Sequence, residues 1–583
     1  MRQDAGAPAR EQSTPAGAVS RRHFLQLAAA LSGGGLAALL AACGSGPVTA
    51  ATGAKGGAAA GATSTTTAAP AAGNVKLAAD QTLRYIDTEP THMDPGLTYS
   101  LNDLQIIENV WEGLLAYDAQ GNTIPLGATK WDISPDGTVY TFHLRDGVKW
   151  TDGTPVTAHD YEWAWKRNED PKTGSTYAQA LYIIKGARDY NEGKAGADAM
   201  GVKALDDKTF QVTLEGPAGY FLRIASTWTA MPLPRQAIDK YGAKWVEAAN
   251  VISNGPFKLT EWNHDQQITL TRNEGYWGDK PTLSKIVVKL NPDIAKASLP
   301  AYENNELDYA IGPWPADMDR IKGDATLSKE LHIFPLSETS WAVCDTTNVS
   351  SPVSKPDVRR ALYLSLDREE LVNNVFKGVY APAYTILPDD ILGHNPDARL
   401  PGGVKEAQQA LASAGYPGGK GVSLTLTYSQ TSNNDLVAQV LQQMWQKNLG
   451  IALKLSPMES KAFTAWNNSM KTGHYDLKLG GWASDYLDPF DWMNFLFKSD
   501  TDYYHSHWAN ADFDKLVSQA AVQADQNQRK NLYSQAEVIL VKNATLIPIY
   551  HSAVPYLIKP WVVDYVHNST GFDLFGRAKV AQH

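Results

Sequence analysis

The chain has 583 residues, of which 43% are hydrophobic and 20% are charged, a composition typical of soluble globular proteins and a length that allows several domains. Its net charge of −10 at pH 7, without a basic stripe interleaved with aromatic residues, argues against nucleic acid as a partner. Two cysteines, Cys43 and Cys344, are too few for a disulfide framework.

The N-terminal segment predicts export followed by lipid attachment. Arg21 and Arg22 precede an uncharged run over residues 24–42, the order of charged and apolar regions in a signal peptide. The adjacent arginines resemble a twin-arginine signal. The run ends in Leu-Ala-Ala before Cys43, which resembles the lipobox of bacterial lipoproteins, so we expect cleavage at Cys43 and acylation of its thiol. The alternative is a membrane-spanning segment with an incidental cysteine.

Residues 44–79 are rich in alanine, glycine and threonine and hold almost no large apolar side chain. Such a composition cannot form a core, and it predicts a flexible tether. About thirty residues of this kind reach roughly 30 Å. We therefore expect the folded part to work just outside a membrane to which Cys43 anchors it.

From about Asp80 onward, the sequence predicts strands and helices that mix without strict strand–helix alternation. Residues 138–145 and 266–273 alternate in polarity like half-buried strands. In the second half, Asp367 is a predicted N-cap, and residues 434–450 place apolar side chains on one helical face before a terminal glycine. No repeat of 20–50 residues is evident, which argues against solenoids and propellers. No second linker follows residue 80, so we expect one compact α/β unit of interwoven lobes.

Sequence motifs of catalysis and of cofactor binding are absent: there is no GxSxG, no HExxH and no CxxC. The glycine-rich run at 415–422 lacks the spacing of a P-loop. His159, His264 and His474 stand alone in the sequence, which favours surface or core histidines over metal ligands. We predict neither an enzyme, nor a cofactor, nor a bound metal ion.

One acidic cluster is a candidate for a functional role. The stretch LGGWASDYLDPFDW, residues 479–492, holds Asp485, Asp488 and Asp491 among aromatic side chains. Carboxylates in such surroundings serve as an acid/base pair, as metal ligands or as a binding site for a positively charged group of a ligand. These residues alone leave the three alternatives open, although a carboxylate walled by aromatic rings binds an ammonium group strongly.

Several stretches of the chain resemble one family. The segment TFHLRDGVKWTDGTPVTAHDYEWAWKRNEDPKTGSTYA, residues 141–178, resembles the signature region of extracytoplasmic solute-binding proteins of family 5, the peptide-binding receptors of ABC importers. SNGPFKLTEW, KPDVRRALYLSLDREELV and GWASDYLDP follow in the order that this family shows. The resemblance covers essentially the whole chain after residue 80.

The resemblance implies an α/β architecture, a periplasmic-binding-protein-like class II clamshell with two lobes and an additional small domain. The lobes are expected to close on a ligand by hinge motion. The expected divisions are a signal peptide at 1–43, a tether at 44–79, a discontinuous lobe I at 80–112, 233–340 and 553–583, a small domain at 113–232, and a lobe II at 341–552.

The resemblance also implies where the ligand binds. In peptide-binding members, an aspartate of the GW-x-x-D segment pairs with the N-terminal ammonium of the ligand, and this position is Asp485 here. Trp482 and Tyr177 match aromatic residues that line the cleft in the family.

The departures from the family bear on the same cleft. Of three positions that are basic in well-known members, only Lys471 keeps a charge, and Ser460 stands in place of an aromatic cleft residue. A disulfide known in some members is absent, so Cys344 is expected to be a free and buried thiol. The identity and length of the ligand are therefore not implied by the resemblance.

We predict the extracytoplasmic substrate-binding component of an ABC transporter, a lipid-anchored monomer at the cell surface or in the periplasm. It would capture oligopeptides in a closing cleft between the lobes and deliver them to permease subunits in the membrane. The alternative within transport is a non-peptide solute: a sugar, an opine, a metal chelate or a peptide-like antibiotic. Two rivals from other classes are an extracellular hydrolase that uses two of the clustered acids and a signalling or adhesion lipoprotein.

Overall fold

The computed structural model describes residues 75–118, 122–312 and 314–583, apart from the side chain of Ser432. The predicted signal residues Arg21 and Arg22, the lipidation site Cys43 and most of the tether lie outside this part. Its strands, in chain order, are β1 (Thr82–Asp87), β2 (Leu115–Tyr117), β3 (Thr123–Pro125), β4 (Ala128–Ile133), β5 (Val139–Leu144), β6 (Val202–Asp206), β7 (Thr209–Thr213), β8 (Phe257–Asn263), β9 (Gln267–Arg272), β10 (Lys285–Leu290), β11 (Tyr309–Ile311), β12 (Leu331–Cys344), β13 (Ala381–Pro382), β14 (Ser423–Ser429), β15 (Ala452–Met458), β16 (Leu477–Ala483), β17 (Leu546–Ile558), β18 (Val562–Val563), β19 (Val566–His567), β20 (Asp573–Leu574) and β21 (Lys579–Val580).

Helices alternate irregularly with these strands. The α-helices span Leu101–Val110, Ala158–Glu169, Ala187–Asn191, Phe221–Ile224, Arg235–Tyr241, Ile294–Glu303, Met318–Gly323, Leu327–Glu330, Pro356–Leu364, Arg368–Glu370, Val404–Ser413, Ser432–Leu449, Ser460–Ser469, Ala511–Val522 and Gln526–Asn543. Two π-helical stretches span Leu371–Val375 and Phe490–Phe497. Short 3₁₀ helices span Pro95–Leu97, Ala178–Leu181, Ala197–Ala199, Trp228–Ala230, Gly242–Val246, Pro352–Ser354, Pro396–Ala398 and Pro417–Gly419.

A four-stranded sheet of order β1-β10-β9-β8 forms part of the first lobe. Strand β1 pairs parallel with β10, and the other pairs are antiparallel. The strand predicted at 266–273 is β9, and the alternation that predicted it places Ile268 and Leu270 at zero exposure. The prediction of this strand is confirmed.

A second four-stranded sheet, of order β4-β5-β7-β6, is antiparallel throughout. The strand predicted at 138–145 is β5, which buries Phe142 against Phe210 of β7. Trp165, from the helix Ala158–Glu169, meets Phe210 edge-on with ring centroids 5.1 Å apart. The signature stretch of the sequence therefore builds this sheet and the helix that covers it.

The largest sheet has the order β11-β17-β12-β16-β14-β15, with β13 paired to β17. Its two long strands, β12 and β17, run antiparallel and are interrupted by an irregularity of register between Pro335 and Thr339. On one side of this irregularity Phe334 belongs to the first hydrophobic core, and on the other side Trp341 belongs to the second. These two strands thus pass through both lobes, the position that a hinge requires.

The two main cores divide the described residues into two bodies. The first joins residues of predicted lobe I, such as Leu83, to residues of 113–232, such as Phe210. The second holds residues from the region after β12, such as Trp445 and Leu477. The domain boundaries stay predictions, since a continuous core joins the small region to lobe I.

Local signals predicted several helix ends correctly. The side chain of Asp367 accepts a hydrogen bond from the backbone N–H of Glu370 at 2.9 Å, as an N-cap does. The helix Ser432–Leu449 ends at Gly450, whose φ of 70° is the left-handed conformation that glycine adopts easily. No helix among the described residues is long and apolar enough to cross a membrane.

The beginning of the described part lies beside the C-terminal residues. Residues 76–78, which the sequence assigns to the tether, form backbone hydrogen bonds with residues 580–582. The folded body thus begins a few residues before Asp80, and the tether enters it beside the C-terminus.

Candidate functional site

A cleft of about 910 Å³ opens between the two bodies. Most residues of the stretch 176–183 in the small region line it, together with most residues of 479–486, at the end of β16 and in the turn that follows. Glu338, Ser340 and Tyr550 bring the two long shared strands to the same cleft. A cavity between two bodies that share hinge strands is a typical location for a small-molecule or peptide site.

Asp491 organises the turn that follows β16. Its Oδ2 accepts a hydrogen bond from the indole Nε1 of Trp482 at 3.0 Å and another from the backbone N–H of Asp485 at 2.8 Å. One buried carboxylate oxygen thereby holds both residues in place, and both line the cleft.

Asp488 has a different environment from its two neighbours in the acidic stretch. It forms a bidentate ion pair with Arg529 through two contacts of 2.6 Å, and the two side chains are 3% and 1% exposed. Burial lowers the pKa of Arg529, but the attraction of Asp488 outweighs burial and holds that pKa above its ordinary value. Arg529 therefore balances the charge of Asp488, and the buried carboxylate is inaccessible to a ligand.

Aromatic side chains line the cleft together with the half-buried Asp485. Trp482, Phe495 and Tyr503 form a triangle whose ring centroids lie 5.4–5.6 Å apart. Phe495 and Tyr503 are 38% and 46% exposed, a large apolar surface to leave in water. An exposed aromatic patch inside a cleft marks a surface that a ligand covers.

The other predicted ligand-binding residues separate into two groups. Tyr177 lines the cleft and packs on Trp228 with ring centroids 5.4 Å apart, and Ser460 lines it at the start of the helix Ser460–Ser469. Lys471 is exposed just after that helix and is not among the residues that line the cleft. The structure therefore brings Asp485, Trp482, Tyr177 and Ser460 to one cavity and leaves Lys471 outside it.

The two bodies touch at one end of the cleft. Tyr220 of the small region stacks on Phe490 with ring centroids 3.8 Å apart, and the backbone N–H of Gly219 donates to the carbonyl of Ala521 at 2.9 Å. Phe490 directly follows the buried acid Asp488 and Pro489. The Asp488–Arg529 pair therefore supports the place where the bodies meet.

Acidic side chains outnumber basic side chains among the described residues that line the cleft. Among the described residues that line it, Glu338, Asp485 and Asp491 are acidic, whereas Arg188 is basic. This excess of carboxylates favours the positively charged part of a ligand. Sequence reasoning missed Glu338, Arg188, Phe495 and Tyr503, because no local motif distinguishes them from surface residues.

Cys344 is a free thiol at zero exposure, which confirms the expectation from the sequence. Burial raises its pKa to about 12. Such a thiol is inert at neutral pH, so Cys344 packs in the second core and takes no part in chemistry.

The described architecture is that of a clamshell binding protein: two α/β bodies, long strands common to both, and an aromatic cleft with carboxylates at its wall. Comparison with known proteins agrees. Residues 122–504 match the family described as "Bacterial extracellular solute-binding proteins, family 5 Middle", more than half of the chain. The chain belongs to this family.

Individual relatives span nearly the whole chain. It is 34% identical over 505 residues to the periplasmic oligopeptide-binding protein OppA of Salmonella typhimurium, covering 84% of this chain and 91% of that protein. It is 33% identical over 505 residues to the probable deoxycholate-binding periplasmic protein YgiS of Escherichia coli, covering 85% and 92%. Among solved structures, the unliganded open form of the periplasmic murein tripeptide-binding protein MppA matches with a TM-score of 0.78 and 29% identity, covering 87% of this chain and 99% of that one.

These findings settle the general predictions. Family membership confirms the resemblance seen in the sequence, the α/β clamshell fold, and a role in solute binding outside the cytoplasm instead of catalysis. The hydrolase hypothesis is thereby set aside.

Proposed function

We propose that this protein is the extracytoplasmic receptor of an ABC importer and that it captures oligopeptides in the cleft. The observation that carries the proposal is the position of Asp485, a half-buried carboxylate held at the cleft wall beside Trp482. The names of the similar proteins, oligopeptide-binding and murein tripeptide-binding, support a peptide as the ligand.

In this proposal, Asp485 pairs with the N-terminal ammonium of the peptide. A charge-assisted bond in an aromatic, water-poor site contributes about 1.5–3 kcal/mol. The neighbouring carboxylates Glu338 and Asp491 add to the negative potential that the ammonium meets. The aromatic triangle of Trp482, Phe495 and Tyr503 covers a side chain near that end of the peptide.

Binding is completed by closure of the two bodies. The long strands β12 and β17 carry Glu338 and Tyr550 to the cleft, so bending at their irregular register between Pro335 and Thr339 narrows the cavity around the peptide. The likeness to an unliganded open form supports an open starting state. The peptide main chain would be held by strand-like hydrogen bonds, with side chains in hydrated pockets.

The remaining parts of the proposal concern delivery. Arg21 and Arg22 direct export, Cys43 carries a lipid anchor, and the tether lets a monomeric receptor reach permease subunits in the same membrane. These assignments rest on the sequence, because the residues lie outside the described structure.

The proposal is tested by identifying the ligand. Mass spectrometry of material that co-purifies with the native protein should find peptides, and calorimetry with a short peptide pool should show saturable binding. Because one relative is named as a probable deoxycholate-binding protein, deoxycholate is the second arm of the titration. Binding of deoxycholate without any binding of peptides would replace the peptide proposal with the non-peptide alternative.

A further inference from the structure

Two histidines and an aspartate meet at the end of β12, away from the residues that line the cleft. The Nδ1 of His474 lies 2.8 Å from Oδ2 of Asp345, and the Nδ1 of His507 lies 3.0 Å from Oδ1 of the same carboxylate. One ligand atom from each residue lies within 4.8 Å of the others. Three side chains of the type that bind metal ions therefore lie close enough together to share one ion.

The carboxylate of Asp345 is held rigidly. It has zero exposure, and it accepts hydrogen bonds from the backbone N–H groups of Thr347 at 3.0 Å and of Tyr475 at 3.3 Å, one on each oxygen. The hydroxyl of Thr347 adds a bond of 3.1 Å. These bonds fix the orientation of the carboxylate in the way that outer partners fix a metal ligand.

The two imidazoles connect the buried carboxylate with solvent. The side chain of His474 is 54% exposed and that of His507 is 18% exposed. An ion can therefore enter from the side of His474 and keep a water molecule there as a further ligand. A site with three protein ligands and one open position is common for zinc.

We propose that Asp345, His474 and His507 form a binding site for a divalent transition-metal ion of the zinc class. Two imidazole nitrogens and one carboxylate oxygen suit Zn²⁺, Co²⁺ or Ni²⁺ and do not suit Ca²⁺ or Mg²⁺, which take oxygen ligands. Donors around one tetrahedral zinc lie about 3.4 Å apart, from bond lengths of about 2.0–2.2 Å. The two rings approach different oxygens of Asp345, at 2.8 and 3.0 Å, and the three ligand atoms lie within 4.8 Å of one another, so the rings shift on binding to reach that geometry.

Coordination through Nδ1 uses the neutral imidazole whose proton is on Nε2. A ring with its single proton on Nδ1 therefore releases that proton to water and takes one up from water at Nε2, whereas a doubly protonated ring only releases its Nδ1 proton. The hydrogen bonds to Thr347 and Tyr475 remain and stabilise the coordinated carboxylate. The hydrogen bonds from the two rings to Asp345 are replaced by bonds to the ion, and the ion releases water molecules in exchange.

The site is connected to the wall of the cleft. His507 ends a loop that begins at Asp502, whose carboxylate accepts the backbone N–H of His507 at 2.8 Å. The loop carries Tyr503 and Tyr504, which line the cleft, and the hydroxyl of Tyr504 donates to the carbonyl of Gly481 at 2.5 Å. An ion bound to His507 therefore braces the loop that forms part of the ligand-binding wall.

The test is a titration of the intact, chelator-treated chain, purified without a polyhistidine tag, with Zn²⁺ in a calorimeter. We expect one ion per chain with a Kd of about 1 µM or below, and visible d–d bands when Co²⁺ replaces Zn²⁺. His474→Ala should weaken binding by more than about 100-fold, because loss of a ligand exceeds the 10–100-fold cost of losing an outer partner.

Two further variants keep the result interpretable. His507→Ala should weaken Zn²⁺ binding to the same extent, with unchanged circular dichroism as the check on folding. His159→Ala is the matched control, since His159 is 61% exposed and lies 3.5 Å from Asp207 at a distant site. Absence of stoichiometric binding by the wild type would overturn the proposal, and so would equal affinities of the wild type and His474→Ala.

Discussion

The buried ion pair between Asp488 and Arg529 is the feature whose removal has the clearest expected cost. Both contacts are 2.6 Å, both side chains are nearly unexposed, and Oδ1 of Asp488 also accepts the backbone N–H of Phe490 at 2.9 Å. The substitution Arg529→Met keeps much of the side-chain volume and leaves the Asp488 carboxylate buried without its cation. Breaking a buried pair in this way costs about 3–5 kcal/mol of unfolding free energy.

The measurement is thermal unfolding followed by circular dichroism. For a cooperative unit of about 200 residues, 1 kcal/mol moves the Tm by about 2–4 °C, so Arg529→Met should lower it by about 6–20 °C. The double variant Asp488→Asn/Arg529→Met removes both charges, keeps an acceptor for Phe490, and should recover most of the loss.

The control is a surface ion pair of similar composition. Arg235 and Asp239 lie 3.2 Å apart with side chains 64% and 61% exposed. An exposed pair contributes about 0–1 kcal/mol, so Arg235→Met should shift the Tm by little. Equal shifts for Arg529→Met and Arg235→Met would refute the view that the buried pair supports the contact between the bodies.

Three other predictions concern titration, reactivity and the cleft. Burial raises the pKa of Asp87 to about 7, with two neighbouring carboxylates adding to the effect, so the native state favours its protonated form and loses stability as pH rises from about 4 to about 7. As pH rises from 4 to 8, the unfolding free energy of Asp87→Asn should therefore increase relative to that of the wild type by up to about 4 kcal/mol. Curves of Tm against pH that run parallel for the two proteins would contradict the assignment. In a Cys43→Ser chain, Cys344 should react with a thiol reagent only after unfolding in denaturant, and labelling of the native protein at pH 8 would contradict its burial. Tyr503→Ala should weaken the binding of peptides with a bulky apolar side chain near the N-terminus by about 2- to 10-fold, since an aromatic contact contributes about 0.5–1.5 kcal/mol. Calorimetry should show little loss of affinity for glycine-rich peptides.

The fold was predictable where local pattern and tertiary structure agree. Strand β5 alternates in polarity because it buries one face, β9 buries Ile268 and Leu270 at its apolar positions, and the helix that ends at Gly450 carries both an apolar face and a terminal glycine. The pattern after Asp367 predicts a helix that begins there, and it does, but it passes into a π-helical turn over Leu371–Val375. Apolar periodicity cannot distinguish these two helical forms.

The cleft was predictable only through its most distinctive segment. Asp485, Trp482 and Tyr177 lie in stretches that carry the family resemblance, and all three line the cavity. Lys471 is near Trp482 and Asp485 in sequence but is not among the residues that line the cavity, since closeness along the chain does not determine the direction in which a side chain points.

Contacts between distant segments explain what the sequence could not show. Arg529 lies 41 residues from Asp488, and Asp345 lies 129 and 162 residues from His474 and His507. Neither the ion pair nor the histidine cluster forms a motif, because the fold alone brings these residues together. The isolated position of His474 in the sequence therefore said nothing about its neighbours in space.

The central claim, that Asp485 receives the N-terminal ammonium of a peptide, is tested most directly by a cycle of two changes. One peptide that the protein binds is titrated with a free and with an acetylated N-terminus, against the wild type, Asp485→Asn and the control Asp239→Asn, whose exposed carboxylate is remote from the cleft. We expect acetylation to weaken binding to the wild type and to the control by about 10–150-fold, equivalent to about 1.5–3 kcal/mol, and to have little effect on Asp485→Asn. Equal loss on acetylation in all three proteins would show that the ammonium binds elsewhere and would contradict the account.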